Sequence, residues 1–158
     1  MSVPGGIRAK LMLALVAIIG GALAGAFLIV VPSLERRLVD AKLEILERDT
    51  ASTASAIVAN DIADEPDAIA SLGAAFGARI VLYDVVEGPS LAVLVDTANP
   101  ELTAGMERDP IALAALEGVS ARGRVTRGGT QYAEVATQLL TGEVLLLSGS
   151  LTDQLSTV

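Results

Sequence analysis

The stretch Arg79 to Thr97, RIVLYDVVEGPSLAVLVDT, decides how this chain folds. Its two halves, Arg79 to Val86 and Leu91 to Thr97, are rich in Val, Leu and Ile. Such side chains fit the pleated, half-buried surface of a sheet. Glu87-Gly88-Pro89-Ser90 between them has the length of a hairpin turn, so two antiparallel strands are predicted. Toward the C-terminus, Asn99 to Asp109 reads as a loop. Pro110 to Glu117 reads as a short helix that opens on proline and closes at Gly118. Three more strands are predicted at Val119 to Thr126, Gln131 to Leu139 and Val144 to Gly149. Arg127-Gly128-Gly129-Thr130 and Leu140-Thr141-Gly142 are the turns between them. Val144 to Leu147 is apolar on both faces, which suits a central strand covered on both sides.

Toward the N-terminus, Asp67 to Phe76 is predicted as a short helix ended by Gly77, after the turn-rich acidic segment Asp61 to Asp67. Two apolar rows precede it. One is Leu34, Leu38, Ala41 and Ile45; the other is Val39, Leu43, Leu46 and Ile57, with Thr50 and Thr53 in its gaps. Steps of three and four are the helical signature, so residues 33–60 are expected to form one long helix after an exit at Pro32, with Ser33 as its cap. Strands grouped between helices indicate an α+β domain, with a mostly antiparallel five-stranded sheet over residues 79–149.

Leu11 to Val31 is a run of 21 residues without a charge. As a helix it would span roughly 31 Å, about the thickness of a bilayer's hydrocarbon core. A cleavable signal peptide is the rival reading, with Arg8 and Lys10 as its basic region and Ala24-Gly25-Ala26 as small residues for cleavage. The run continues through Phe27 to Val31, longer than a signal core, which favours an uncleaved anchor in membrane lipid. Residues 1–10 are expected in the cytoplasm, 11–31 across the membrane and 32–158 outside. Flanking charge is nearly balanced, so the basic N-terminus decides the orientation.

The remaining composition excludes more than it offers. All 19 carboxylates and 9 of the 11 basic residues lie beyond Val31, a net charge of −10 there. Such a surface disfavours nucleic acid, whose binding rests on Lys and Arg. There is no His and no Cys, which removes imidazole base catalysis, thiol nucleophiles, disulfides and the usual zinc sites. Aromatic residues are only 3%, too few for a stacking platform. No catalytic residues and no cofactor are expected; the chain does not read as an enzyme.

The segments Gly128-Gly129-Thr130-Gln131-Tyr132-Ala133-Glu134-Val135-Ala136 and Gly142-Glu143-Val144-Leu145-Leu146-Leu147-Ser148-Gly149-Ser150-Leu151-Thr152 carry a resemblance. With the apolar span and the long helix, they resemble the extracytoplasmic PDC or single-Cache (PAS-like) sensor region of bacterial membrane-bound two-component sensor histidine kinases. The resemblance implies a PAS-like sheet preceded by one transmembrane helix, and signal transduction through a homodimer. It also implies that 150–158 begin a return helix and that the chain is a fragment of a larger receptor, since kinase parts and a phosphorylated histidine are absent. The alternative is an anchored or secreted structural or interaction protein without kinase output.

The sequence offers two candidate sites. Arg122 and Arg124 alternate on a strand and so share a face, with Arg127 at the adjoining turn. The resemblance places small carboxylate ligands on the sheet beneath the loop and short helix between strands two and three. Arg122, Arg124, Tyr132 and Arg108 are therefore the candidates to hold one, arginine by paired hydrogen bonds. The plainer reading is a solvated edge strand guarded by charge. Asp61, Asp64, Glu65 and Asp67 offer oxygen ligands to a divalent cation, but lack the spacing of a calcium loop and suit helix capping equally well. No metal is expected there. Leu34, Leu38, Ala41, Ile45 and Leu43 are expected to form a dimer stalk, with the rest of the helix on its own domain.

Overall fold

The computed structural model describes residues 6–86, 90–98, 103–118 and 120–152. The chain divides into two units, Met1–Leu38 and Val39–Val158. One helix, α1 (Ile7–Asn60), contributes to both.

In the first unit the apolar stretch of α1 is uncovered along its length, with Leu11, Ile18, Leu23 and Ile29 all exposed. It is long and apolar enough to cross a membrane. The expected break at Pro32 does not occur: α1 is one α-helix of 54 residues with Pro32 inside it. Proline lacks an N–H and crowds the preceding turn. Strong helix formers come next, however, in Leu34-Glu35-Arg36-Arg37-Leu38. Extending a helix already nucleated also fixes only one residue per new hydrogen bond. Ser33 is thus an interior residue rather than a cap.

The second unit is α+β. After α1 come α2 (Pro66–Phe76), β1 (Arg79–Val86), β2 (Ser90–Asp96), a 3-10 turn (Met106–Arg108), α3 (Pro110–Ala115), β3 (Ala121–Arg127), β4 (Thr130–Gln138) and β5 (Val144–Ser150). The sheet has the order β2-β1-β5-β4-β3, and every pairing is antiparallel. The doubly apolar run Val144–Leu147 forms the central strand, fully buried, as its sequence requires. Gly77 ends α2 in the left-handed conformation (φ 59°), donating its N–H back to Ala74, a geometry that favours glycine. A bulge in β2 between the partners of Leu82 and Tyr83 leaves Leu94 unpaired and exposed.

Strand residues alternate between two cores. On one face Ile80, Leu82, Val135, Leu145 and Leu147 pack with Leu43, Leu46 and Ile57 of α1 and Ile69 of α2. On the other, Val81, Tyr83, Ala136 and Leu146 pack with Met106 and with Ala112 and Ala115 of α3. The two helical rows read from the sequence separate accordingly. Leu43, Leu46, Thr50, Thr53 and Ile57 are buried. Leu34, Leu38, Ala41 and Ile45 are exposed. Leu43, placed on the stalk by its sequence spacing, lies instead in its own domain's core, because it falls on the face of α1 that meets β5 and β4. The expected loop at 99–109 also carries structure: its 3-10 turn inserts Met106, completely buried, against the sheet. Of the expected return helix, 153–158 lie outside the described residues.

Candidate functional site

Antiparallel register fixes which strand residues share a face. Arg122 lies opposite Val135 and Arg124 opposite Ala133, so both arginines occupy the α1 side of edge strand β3. Arg122 Nη1 reaches Glu47 Oε2 of α1 at 2.9 Å, with both side chains about half exposed. Arg124 is exposed. Tyr132 pairs with Val125 and Ser150, and belongs to the α3 side. Arg108 is exposed on the 3-10 turn, where it lines a shallow groove with Ser90, Leu91, Glu107 and Leu113. The four residues expected to hold a carboxylate are therefore not brought together. Arg122 and Arg124 share a face as spacing predicted, but it is the opposite one from α3.

The acidic residues Asp61, Asp64, Glu65 and Asp67 lie in the α1–α2 connection and the first turn of α2, at or near the surface. Among the described residues, no three acidic side chains converge as a metal-ligand set.

What the α3 side of the sheet does contain is a buried charge cluster. Arg127, Glu134 and Asp109 form it, with Tyr83 and Ser148 beside them. Glu134 points toward α3 because its neighbours Ala133 and Val135 face α1. Arg127, at the end of β3, shares the Glu134 side of the sheet and turns its guanidinium back along β4. It grips Glu134 with both terminal nitrogens, Nη2 at 3.0 Å from Oε2 and Nη1 on Oε1. The same Nη2 donates to Asp109 Oδ2. Asp109 is also the N-cap of α3: its Oδ1 accepts from Ile111 N and Ala112 N, each at 2.8 Å. The helix is thus tied to edge strand β3 through one carboxylate, one guanidinium and a second carboxylate. Gly123, on the same strand, gives α3 its close approach; a Cβ there would lie 2.7 Å from Ile111 Cδ1.

Both carboxylates are completely buried and Arg127 is 22% exposed. Burial, with the Asp109 charge alongside, raises Glu134 above the ordinary carboxylate range although the Arg127 hydrogen bonds pull it down. Burial, together with the same two carboxylates, pushes the Tyr83 phenol up. Its hydroxyl has no hydrogen-bond partner among the described residues, and Ser148 faces Glu134 across the β4–β5 register. Two buried carboxylates thus share a single guanidinium.

A separate ion pair ties the opposite edge. Arg79 Nε and Nη2 hold Asp96 at 2.9 and 2.6 Å, and Ala98 N and Thr103 Oγ1 donate to the same carboxylate. Burial pushes Asp96 up, but these donors outweigh it, so its pKa lies below the ordinary value.

Sequence reasoning singled out Arg127 only as a turn residue and gave Asp109, Glu134 and Tyr83 no role. The one legible signal was Glu134 in the run Tyr132-Ala133-Glu134-Val135-Ala136, a carboxylate alternating into an otherwise apolar strand. No protein-family profile, curated protein or solved structure matches the chain.

Proposed function

We propose that this chain is the extracytoplasmic sensing region of a membrane-bound two-component sensor histidine kinase, working as a dimer. The observation that carries the reading is the division of labour along α1. One stretch has the length and hydropathy of a membrane span. Further along, one row is buried in the sheet's core, while Leu34, Leu38, Ala41 and Ile45 remain uncovered. An exposed apolar row at steps of four and three is the pattern by which two helices pair. The five-stranded antiparallel sheet, with a short helix between its second and third strands, supports the PAS-like assignment. The phosphate-accepting histidine belongs elsewhere in such a receptor, since this chain contains none.

The chain has no cysteine, so single-cysteine variants report without background. Leu38→Cys in native membranes should form a disulfide-linked dimer, and Ser52→Cys, beyond the stalk residues, should cross-link less. An alkaline phosphatase fused after Ser150 should be active, as that enzyme matures only outside the cytoplasm. An inactive fusion overturns the orientation. Monomeric Leu38→Cys in membranes overturns the dimer, and with it the signalling route.

A further inference from the structure

We propose that α3 is an acid-responsive clasp: when Glu134 takes up a proton, Arg127 passes wholly to Asp109 and locks the N-terminus of α3 onto β3. This device is a property of the folded domain, whatever output the domain serves.

The cluster is unbalanced by composition. Asp109 and Glu134 are completely buried, and both lean on Arg127. With both ionised, the site holds one uncompensated negative charge away from water, which is costly unless it is neutralised or exposed. One proton removes the excess. The two carboxylates are not equivalent candidates for it. Asp109 Oδ1 is taken by two backbone N–H donors in the first turn of α3, and its Oδ2 by Arg127. Glu134 accepts from no backbone N–H among the described residues: Arg127 holds its two oxygens, and Ser148 lies opposite it on β5. Glu134 is therefore the group that protonates, and its raised pKa agrees.

The other charged and titratable groups on this face leave the assignment intact. Arg79 of β1 is engaged with Asp96 of β2. Tyr83 of β1 and Tyr132 of β4 bring phenols to this face, neither a carboxylate nor a cation. Glu107 and Arg108, beside α3 on the 3-10 turn, are exposed to solvent. The sign is fixed by linkage. A carboxyl whose pKa is raised in the folded state adds stability below its unfolded value, 4.5, and that stability is lost as pH rises through the folded value. The clasp tightens in mild acid and loosens toward neutrality.

Tyr83 faces the cluster, so a Tyr132→Phe background makes its emission a single-site reporter in the full-length chain in micelles of a non-aromatic detergent. Between pH 7.5 and 4 the emission should show one transition with a midpoint above 4.5. Exchange of the Ile111 and Ala112 amides, corrected for intrinsic rates, should slow across the same range. Glu134→Gln should abolish both changes and hold the amides in their acid-protected state at pH 7.5. Asp109→Asn, which removes the competing charge, should move the midpoint to lower pH. A transition that persists unchanged in Glu134→Gln, or a wild-type midpoint at or below 4.5, overturns the proposal. If Asp109→Asn frays α3 too far to be read, direct carboxyl titration of Glu134 by carbon-13 NMR decides the matter by the same threshold.

Discussion

Replacing Arg127 by methionine removes the only side-chain cation among the described residues that bonds to Asp109 and Glu134, and nearly preserves the aliphatic stem. Both carboxylates have no exposed side-chain surface, and Arg127 is 22% exposed, so solvent screens the cluster little. Stripping one partner from a buried ion pair costs about 3–5 kcal/mol, since the remaining charge cannot be rehydrated. For a folded unit spanning Val39–Val158, each kcal/mol corresponds to about 3–5 °C in melting temperature, so the loss at pH 7 should be on the order of 10–20 °C. The same variant melted at pH 4.5 should lose markedly less, because without the guanidinium Glu134 is more easily protonated and the buried charge disappears. Arg124→Met, on the exposed side of β3, is the control and should change stability by no more than about 0.5 kcal/mol. The assay is thermal unfolding followed by circular dichroism of the full chain in micelles. A drop under about 3 °C at pH 7, or one that is as large at pH 4.5, would refute the claim that the cluster is buried and charge-unbalanced.

Tyr83→Phe should be neutral or stabilising by up to about 1 kcal/mol by thermal melting, because the lost hydroxyl is buried without a hydrogen-bond partner among the described residues. Leu46→Ala should destabilise by about 2–5 kcal/mol, whereas the adjacent exposed Ile45→Ala should leave monomer stability within about 0.5 kcal/mol; similar losses at both would contradict the helix orientation. Asp96 has a lowered pKa, so its contribution is present above the ordinary 3.8 and is lost as pH falls through its folded value. Asp96→Asn should therefore lower stability at pH 7 and flatten the acid limb of the stability curve below pH 3.8.

Much of the architecture was legible because it rests on local pattern. Arg79 to Val86 alternates between two apolar surfaces and forms β1 with those bounds, and Val144 to Leu147, apolar at every position, is central. The two rows on α1 were also readable, since helical periodicity separates them: Val39, Leu43, Leu46 and Ile57 point one way and Leu34, Leu38 and Ile45 another. Which row the sheet would take was not, and Leu43 fell on the covered side. Pro32 misled for a related reason. Its local cost is real, but the helix formers beyond it outweigh it once the preceding turns exist.

The charge cluster shows the limit most clearly. Spacing establishes that Arg122 and Arg124 share a face, and it places Arg127 only at a turn. That face is set by β3 pairing with β4 in a register that puts Gly123 opposite Glu134. Asp109 joins from a separate element, 18 residues before Arg127, because α3 docks on that side of the sheet. The sequence by itself determined the five strands, the short helices, the apolar span and the net negative charge of the residues beyond Val31, all consequences of residue type and period. Only the tertiary structure decided that one guanidinium would be shared by two buried carboxylates, because burial and long-range register, not local pattern, bring those three charges together.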